Sequence, residues 1–471
     1  MIRALRDYQT AAIVSLREQF AAGHKRVILV APTGSGKSDI IGHLTALAVA
    51  KGSKVMAIAH RRELIGQLAD RLRLHGIENQ GIIMAGEEPN DAPVQVCSIQ
   101  TLVRRKFPEA QLCLVDEVHH AIKGSAYERV MDAYPGCAFV GATATPARMD
   151  GRGLGDIWNA MVVAATPKQL CDAGYLAPFK GKAFRKPEGL DQVKTVAGDY
   201  DIGGLAEIYE KPKILGDIVQ MWQTHAAGRR TIAFLPSIKA SLDLVERMRA
   251  IGVAAEHLDY KASKPDRKAI MDRVRSGETL FLSNVALVSE GVDLPELEVV
   301  LIARATKSLA LYLQMCGRAS RPSPGKACAY LLDHGDCVAR FGHPYAPRAW
   351  TLDTTKPKKP SVGELKTCPS CFAILEGQPA ICPECGAVLR KPGKPIETDN
   401  NVIAVDIDAP QAPVGTKEDF ERILRRHRAQ GHKPGWAVGE YTKRFPGSPL
   451  PWSVWRMYVG RGKGARWLEP E

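Results

Sequence analysis

The chain has 471 residues, of which 45% are hydrophobic and 24% charged, and its formal charge is +13. That length exceeds one ordinary hydrophobic core, so we expect two compact domains with smaller modules, and the excess of basic residues favours a polyanionic partner. The apolar runs are too short to span a bilayer and charges interrupt residues 1–8, so we expect neither a membrane-spanning segment nor a signal peptide, and we expect a cytoplasmic location.

Short apolar runs alternate with helix-like stretches in the first third of the chain. These runs are 27–30, 55–58, 94–96, 112–115 and 138–140. Short, fully apolar strands between helices are typical of a parallel sheet with both faces covered. The pattern predicts an α/β domain, which we assign to residues 1–165.

A phosphate-binding pattern follows the first apolar run, where residues 31–38 read APTGSGKS. Glycines let consecutive backbone N–H groups surround phosphates at a helix N-terminus, Lys37 reaches the β- and γ-phosphates, and the Ser38 hydroxyl ligates Mg²⁺. The first position is Ala31 instead of glycine. The alternative is a structural glycine turn. The segment predicts a nucleoside triphosphate site with six binding residues: Thr33, Gly34, Ser35, Gly36, Lys37 and Ser38.

Two carboxylates, Asp116 and Glu117, end the run at 112–115. The carboxyl ends of parallel strands are where such folds bind ligands. Beside a phosphate loop we expect Asp116 to hold Mg²⁺, through water, and Glu117 to polarise the water that attacks the γ-phosphate. A solvated acidic turn is the alternative.

The same rhythm recurs in the second half of the chain, with apolar runs at 231–234, 279–282, 299–302 and 329–332. It predicts a second α/β domain, assigned to 166–346. Residues 181–211 carry mixed charge and scattered glycine with little periodicity, which favours a connector or an inserted excursion.

Residues 314–321 of this second half read QMCGRASR. On a helix, the guanidinium groups of Arg318 and Arg321 would share one face because three residues separate them. Arginines from a separate domain stabilise charge on a γ-phosphate and make hydrolysis depend on domain closure. The alternative is a helix with surface arginines.

Four cysteines are paired as CPSC and CPEC with ten residues between the pairs. This spacing predicts a structural four-thiolate Zn²⁺ site, with iron as the rival metal. The module, 365–390, lies between a linker at 347–364 and an acidic, proline-containing linker at 391–415. Its ligands are Cys368, Cys371, Cys382 and Cys385. The other seven cysteines, among them Cys113, Cys137 and Cys328, are predicted to be buried reduced thiols.

The C-terminal module, 416–471, is basic, rich in tryptophan and helical in its periodicity. It holds four of the seven tryptophans and seven interleaved cations: Trp436, Trp452, Trp455, Trp467, Arg425, Arg426, Lys443, Arg444, Arg456, Arg461 and Lys463. Aromatic faces beside cations suit stacking on bases and contact with phosphates. In so small a module the tryptophans also suit a hydrophobic core.

In their order along residues 5–334, these motifs resemble those of superfamily 2 helicases of the DEAD/DEAH-box type. The resemblance includes LRDYQ at 5–9, AHRREL at 59–64, SIQT at 98–101, GATATP at 141–146 and EGVD at 290–293. The second of these departs from the usual Pro-Thr-Arg-Glu-Leu, so the phosphate-contacting side chain there stays open. The resemblance implies two tandem RecA-like domains with parallel sheets, followed by a zinc-ribbon-like module and a small helical module.

The resemblance also implies roles for individual residues. Nucleotide contacts fall on Arg6, Gln9, Gly291 and Asp293. Catalytic roles fall on Lys37, Asp116, Glu117, Gln314, Arg318 and Arg321. Coupling of hydrolysis to strand movement falls on His119, Thr143 and Thr145. Nucleic-acid contacts fall on Arg62, Gln100, Thr101 and Ser237.

Within that superfamily the chain is most similar to RadD-like bacterial and phage helicases, through DGRGL at 150–154, ARAT at 303–306 and the cysteine cluster. The resemblance implies an ATP-dependent DNA helicase or translocase of repair, recombination or phage DNA metabolism, in a bacterial or phage-infected cell, with ATP, Mg²⁺ and Zn²⁺ bound. DNA is the expected partner, ahead of RNA. An RNA helicase, or a nucleic-acid-binding scaffold with an ATP switch, remains as an alternative.

Overall fold

A computed structural model gives the fold of the chain. It describes residues 4–60, 62–88, 90–148, 153–285, 294–353, 366–375, 379–389, 415–445, 448–459 and 467. Chain contacts divide the protein into two compact units, 1–391 and 392–471. The domain boundaries predicted inside the first unit remain predictions.

A seven-stranded parallel sheet organises the first part of the larger unit, in the order β3-β4-β2-β5-β6-β1-β7. Its strands alternate with helices along the chain. In chain order the elements are α1 (Asp7–Ala21), β1 (Arg26–Val30), α2 (Lys37–Ala50), β2 (Val55–Ala59), α3 (Arg62–Arg73), β3 (Gln80–Ile83), β4 (Val94–Ser98), α4 (Ile99–Leu102), β5 (Leu112–Asp116), α5 (Ala126–Ala133), β6 (Ala138–Thr143), β7 (Ala160–Val163) and α6 (Pro167–Asp172).

A second, six-stranded parallel sheet follows, in the order β12-β13-β11-β14-β15-β8. The small hairpin β9-β10 stands outside it. The elements are β8 (Phe179–Ala183), β9 (Thr195–Val196), β10 (Asp199–Tyr200), α7 (Ile202–Tyr209), α8 (Pro212–Ala226), β11 (Thr231–Phe234), α9 (Ile238–Ala250), β12 (Ala255–Leu258), α10 (Lys264–Ser276), β13 (Phe281–Asn284), β14 (Val299–Ile302), α11 (Leu309–Cys316), β15 (Ala329–Asp333) and α12 (Cys337–Phe341).

The two parallel sheets confirm the predicted fold class. In the first sheet, every residue of β2 and β4 is buried, as expected for strands covered on both faces. The edge strands β3, β7, β8 and β12 were not predicted. Polar residues or glycine interrupt β3, β8 and β12, whereas β7 is apolar throughout and was overlooked. The predicted run at 279–282 also begins two residues too early, since β13 begins at Phe281.

The excursion predicted at 181–211 is mostly ordered structure. Its first residues complete β8, which pairs with β15 at the edge of the second sheet. The hairpin β9-β10 and helix α7 follow, and Asp199 in β10 accepts hydrogen bonds from the Thr306 hydroxyl (2.7 Å) and the Lys307 backbone N–H (2.6 Å). These contacts attach the excursion to the second sheet.

The seven scattered cysteines are free thiols, and five are buried. Cys171 and Cys328 are only half-buried, so the prediction of burial is wrong for these two. Cys328 directly precedes β15, where the chain enters the sheet from the surface. Within the described residues, no helix combines the length and apolarity that crossing a bilayer requires.

The cysteine-rich segment folds at the end of the larger unit. Two short antiparallel strands, β16 (Lys366–Thr367) and β17 (Ile374–Leu375), frame the first cysteine pair. This segment docks on β8: the backbone N–H of Ala183 donates to the Phe372 carbonyl (3.0 Å), and Lys182 forms an antiparallel bridge with Ala373. The module therefore covers an edge that the second sheet otherwise leaves unpaired.

The smaller unit is helical in the parts that the structure describes, as predicted. Its helices are α13 (Lys417–Ala429), α14 (Pro434–Arg444) and α15 (Trp452–Tyr458). Thr416 caps α13, since its hydroxyl accepts a hydrogen bond from the backbone N–H of Asp419. The helices share a small core of Phe420, Ile423, Leu424, Ala437, Tyr441, Phe445, Val454 and Val459.

Candidate functional site

The loop between β1 and α2 has the shape of a phosphate cradle. Gly34 and Gly36 both have positive φ, 85° and 84°, a conformation that L-residues rarely adopt. The positive φ at Gly36 favours glycine, and a Cβ there would lie 2.7 Å from Gln9 Nε2, so the Gln9 side chain would have to shift. The Ser35 hydroxyl is buried without a hydrogen-bond partner among the described residues, and Lys37 Nζ reaches back to the Ala31 carbonyl (3.4 Å). The loop thus presents unused polar groups at the N-terminus of α2.

The start of α1 is fastened to this loop. The Gln9 side-chain amide donates to the carbonyls of Ser35 (3.3 Å) and Gly36 (3.2 Å), and the Tyr8 hydroxyl also donates to the Ser35 carbonyl. The Arg6 guanidinium lies 4.4 Å from the centre of the Tyr175 ring. Arg6 and Gln9 are two of the residues predicted to contact the nucleotide, and both lie in this segment beside the loop. Tyr175 was not predicted, because nothing in the local sequence marks it.

Asp116 and Glu117 follow β5 at the carboxyl edge of the sheet. Burial and the adjacent Glu117 carboxylate raise the pKa of Asp116 to about 6, against the opposing effect of Lys37. Burial alone would raise the pKa of Glu117, but His119, Lys37 and His120 together lower it to about 2. His119 Nδ1 lies 3.3 Å from a Glu117 carboxylate oxygen. Glu117 is therefore ionised at neutral pH.

Glu117 adopts a left-handed backbone conformation, with φ at 49°. Residues other than glycine rarely adopt it, and such residues cluster at functional sites. The turn starts the short 3₁₀ segment Val118–His120, which brings His119 back toward the carboxylate. The sequence did not predict this conformation.

Thr143 and Thr145 stand at the end of β6, the strand next to β1. The Thr143 hydroxyl accepts from the Thr145 backbone N–H (3.1 Å) and donates to the Thr145 carbonyl (3.2 Å), while the Thr143 carbonyl accepts from the Ala31 backbone N–H (2.9 Å). Thr145 Oγ1 is buried without a partner among the described residues. The two predicted coupling threonines therefore adjoin the start of the phosphate loop.

The second sheet brings the segment after α11 directly onto the phosphate loop. The Ser320 hydroxyl lies 3.3 Å from the Thr33 carbonyl, as a donor. A Cβ on Gly317 would lie 2.3 Å from Thr33 Cγ2, so only glycine permits this approach. Gln314, by contrast, is in α11 itself. The two α/β halves thus meet at the loop that the sequence identified.

The prediction that Arg318 and Arg321 share a helix face is wrong. Helix α11 ends at Cys316, and both arginines lie in the turns that follow, where the Arg318 backbone N–H donates to the Met315 carbonyl (3.2 Å). Burial lowers the pKa of Arg318 to about 10, and the Glu117 carboxylate opposes that shift, so Arg318 stays charged within electrostatic reach of Glu117. Turns, not a shared helix face, place the arginines.

Lys326 is a residue that the sequence did not mark. Its ammonium donates to the carbonyls of Ala319 (2.6 Å) and Arg321 (2.8 Å), and on its other side to those of Pro295 (3.2 Å) and Leu297. Burial lowers the pKa of Lys326 to about 8. The Lys326 ammonium therefore fixes the backbone of the segment that carries Arg318 and Arg321 to the loop before β14. No sequence pattern identifies such a residue.

The other predicted residues have simpler positions. Gln100, in α4, donates to the His60 carbonyl (2.7 Å) and accepts from the Ser98 hydroxyl (2.8 Å), and Thr101 is next to it. Ser237 caps α9 and donates to Glu210 (2.7 Å). Gly291, Asp293, and the side chain of Arg62 lie outside what the structure describes.

The four predicted metal ligands come together. Their Sγ atoms lie within 4.8 Å of one another, with Cys368 and Cys385 at 3.6 Å and Cys371 and Cys382 at 3.8 Å. Four sulfurs that bind one Zn²⁺ tetrahedrally at about 2.3 Å are about 3.8 Å apart. The donor set therefore fits Zn²⁺ in both chemistry and spacing.

Comparisons with known proteins agree with this geometry. The family model "Type III restriction enzyme, res subunit" matches residues 2–148, and "Helicase conserved C-terminal domain" matches 210–323. A "51.5 kDa protein" of a Lactococcus phage (isolate 7-9) is 31% identical over 365 residues, covering 76% of this chain and 77% of the phage protein.

A more distant relative is "Putative ATP-dependent helicase IRC3" of Saccharomyces cerevisiae, 26% identical over 70% of this chain and 51% of the yeast protein. Among solved structures, the "ATP-dependent Type ISP restriction-modification enzyme LlaBIII bound to DNA" superposes with a TM-score of 0.53 at 18% identity. That match covers 71% of this chain and 28% of the enzyme, so this chain spans only part of it.

Proposed function

The chain belongs to the superfamily 2 helicases, and from that membership we propose that it couples ATP hydrolysis in the cleft between its two α/β halves to movement along DNA. As a member of this superfamily it is a nucleic-acid-dependent ATP hydrolase. The observation that carries the proposal is the meeting of the halves at the phosphate loop, where Ser320 contacts Thr33. Hydrolysis at Lys37 then depends on how the halves are arranged.

The site residues suit an in-line attack of water on the γ-phosphorus. Lys37 and the loop N–H groups hold the β- and γ-phosphates. Ser38 and Asp116 would hold Mg²⁺, because their side chains provide the oxygen ligands that this ion prefers. Glu117, ionised beside His119, accepts a proton from the attacking water. As the new oxygen–phosphorus bond forms and the bond to the β-phosphate oxygen breaks, ADP leaves.

Arg318 and Arg321 stabilise the charge that develops on the transferred phosphoryl group. Arg318 is within electrostatic reach of Glu117, and both arginines come from the second half. Thr143 and Thr145 adjoin the loop from β6, so a shift at the phosphates reaches the carboxyl edge of the first sheet. Gln314 acts with these arginines in catalysis, and Gly291 and Asp293 add nucleotide contacts. The strand contacts fall to Arg62, Gln100, Thr101 and Ser237.

We propose that DNA is the nucleic acid along which the protein moves. The net charge of +13 suits a phosphate backbone, and the RadD-like likeness points to DNA repair, recombination or phage DNA metabolism. The solved relative that superposes on the fold is described as bound to DNA. The motifs contact backbone and do not separate DNA from RNA, so the polymer is a matter for experiment.

Steady-state ATP hydrolysis tests this function directly. The rate is measured without polymer and with single-stranded DNA, duplex DNA or RNA, each at two salt concentrations. We expect DNA to raise the rate severalfold. More DNA should be needed for half-maximal stimulation at the higher salt, because added salt reduces the free energy gained from counterion release. Stimulation by RNA alone would favour an RNA helicase. Binding with negligible turnover would favour a scaffold with an ATP switch and contradict the motor.

The cysteine module completes the proposal as a structural Zn²⁺ site with no open coordination position. Bound zinc would stabilise the thiolate form of the cysteines and hold the two cysteine pairs together, which keeps β17 and Phe372 against the edge of the second sheet.

Metal content checks the site. We expect about one equivalent of zinc per chain in the wild type, and its loss in Cys382→Ser, since that thiol is buried in the cluster. Cys328→Ser, a half-buried thiol outside the cluster, is the matched control and should keep the metal. Iron in place of zinc would identify the rival metal. Less than about half an equivalent of either metal in the gently prepared wild type would contradict the four-thiolate site.

A further inference from the structure

Among the described residues of the smaller unit, one tryptophan forms an exposed aromatic platform. Trp436 on α14 is 62% exposed, although tryptophan is usually largely buried. The other tryptophans whose side chains are described in this unit pack inward: Trp455 stacks on Phe420, and Trp467 donates to the His432 carbonyl (2.7 Å). Trp436 is therefore separate from the core that its neighbours complete.

The exposed indole is held in place by a neighbouring ring. The Trp436 and His432 rings are stacked, with centroids 5.0 Å apart and an interplanar angle of 23°. His432 is itself fixed, since its Nδ1 lies 2.9 Å from His427 Nδ1, and His427 Nε2 lies 2.7 Å from a Glu440 carboxylate oxygen. A rigid aromatic face loses little conformational entropy when a flat ligand stacks on it.

A groove of about 640 Å³ opens beside this platform, between α13 and α14. Besides Trp436, its lining includes Arg426, Gln430 and Lys443, which supply two cations and an amide that both donates and accepts hydrogen bonds. One surface therefore offers cations for a phosphate, an amide for the edge of a base and an indole ring for the face of a base.

The charge of the unit favours a polyanion. Residues 415–459 contain nine Lys or Arg and four Asp or Glu, a difference of +5. Three of the four acids are engaged within the unit: Asp419 with Arg422, Glu421 with Arg425, and Glu440 with Arg426 and His427. The groove's own carboxylate is therefore neutralised locally, and the remaining cations give the surface its sign.

From these contacts we infer that the smaller unit is a second nucleic-acid site, in which Trp436 stacks on a base of a single strand while Lys443 contacts its phosphates. Duplex nucleic acid offers no free base face in its interior, so the platform selects single strands. A tethered second site raises the local concentration of the strand at the motor. The inference extends the proposed function by adding a contact that lies outside both α/β halves.

Binding of the full chain to oligo-dT and oligo-U, without nucleotide, tests the inference. Trp436→Ala is expected to weaken binding about 5- to 100-fold, the range found when one stacking aromatic is removed. Trp436→Phe, which keeps a ring, should restore most of the affinity. Met457→Ala is the matched control, since Met457 is an exposed apolar side chain of the same unit, 69% exposed, and should bind like the wild type.

A covalent readout separates stacking from a structural effect. An oligonucleotide carrying 5-iodouracil should cross-link to Trp436 on irradiation, and peptide mapping identifies the residue. Lys443→Gln should make the logarithm of affinity less steeply dependent on the logarithm of salt, by about one unit of slope. If Trp436→Ala binds only one of the two oligonucleotides more weakly than the wild type does, that oligonucleotide is the preferred strand and the site is supported.

The inference is overturned if Trp436→Ala binds both oligonucleotides as tightly as the wild type, an outcome that would leave the surface for a protein partner. Because these measurements use no ATP, they are independent of the motor. If the chain lacked polymer-stimulated hydrolysis but lost affinity in Trp436→Ala, the motor proposal would fail and this site would stand.

Discussion

Replacing Arg318 by Lys is expected to lower kcat for ATP hydrolysis by about 10³-fold or more, with ATP affinity nearly unchanged. Arg318 comes from the second half, is half-buried and remains charged within reach of Glu117. Lysine keeps the positive charge but lacks the planar, multidentate guanidinium that matches phosphoryl oxygens. The loss therefore falls on the transition state and not on the bound nucleotide.

Two measurements separate these effects: steady-state hydrolysis at saturating polymer, and displacement of a fluorescent ATP analogue. Arg275→Lys is the control, since Arg275 lies on the same half, is 48% exposed and pairs only with Asp272 on its own helix among the described residues. A fall in kcat of less than about tenfold in Arg318→Lys would contradict the arginine's role in transition-state stabilisation.

The sequence predicted the elements that repeat a strong local signal. All nine predicted runs overlap strands, because a strand buried on both faces is mostly apolar. The phosphate loop was equally visible, since positive φ at Gly34 and Gly36 and the helix N-terminus need particular residues in a fixed order. The four cysteines likewise came from spacing alone, and they meet as expected.

What the sequence missed depends on contacts between distant segments. The edge strand β8, read as FKGKA, is defined by its partner β15 and by the cysteine module that covers it, and not by its own hydrophobicity. The arginine turns were assigned to a helix because a local pattern cannot show that α11 stops at Cys316. Gly317 ends that helix where the chain must approach Thr33.

Lys326 illustrates most clearly what could not be predicted from the sequence alone. Its four carbonyl partners come from residues 295–297 and 319–321, so its role exists only in the folded chain. A lysine that binds carbonyls holds backbone in place and leaves no mark in charge pattern or periodicity. The residues to which we assign chemistry therefore stand in sequence motifs, while Lys326, which holds backbone in place, does not.

Replacing Glu117 by Gln is expected to lower kcat by roughly 10²- to 10⁴-fold, the usual contribution of a positioned general base. The amide has nearly the same shape, so the left-handed turn at this position and ATP binding should persist, but it cannot accept the proton of the attacking water. His119 and Lys37 keep the wild-type carboxylate ionised, so the base is available throughout the neutral pH range. Glu78→Gln, an exposed carboxylate before β3, is the control.

The same variant also distinguishes a motor from a switch. If hydrolysis drives release, Glu117→Gln should accumulate in the ATP-bound state, and in the presence of ATP it should hold its polymer longer than the wild type, because the step that reopens the cleft is blocked. Stopped-flow dissociation from labelled single-stranded DNA measures this directly. Equal dissociation rates for both proteins in ATP, with hydrolysis lost in the variant, would show that turnover at Glu117 does not control the grip on the strand. That result would contradict the proposed coupling of ATP hydrolysis to movement along the strand.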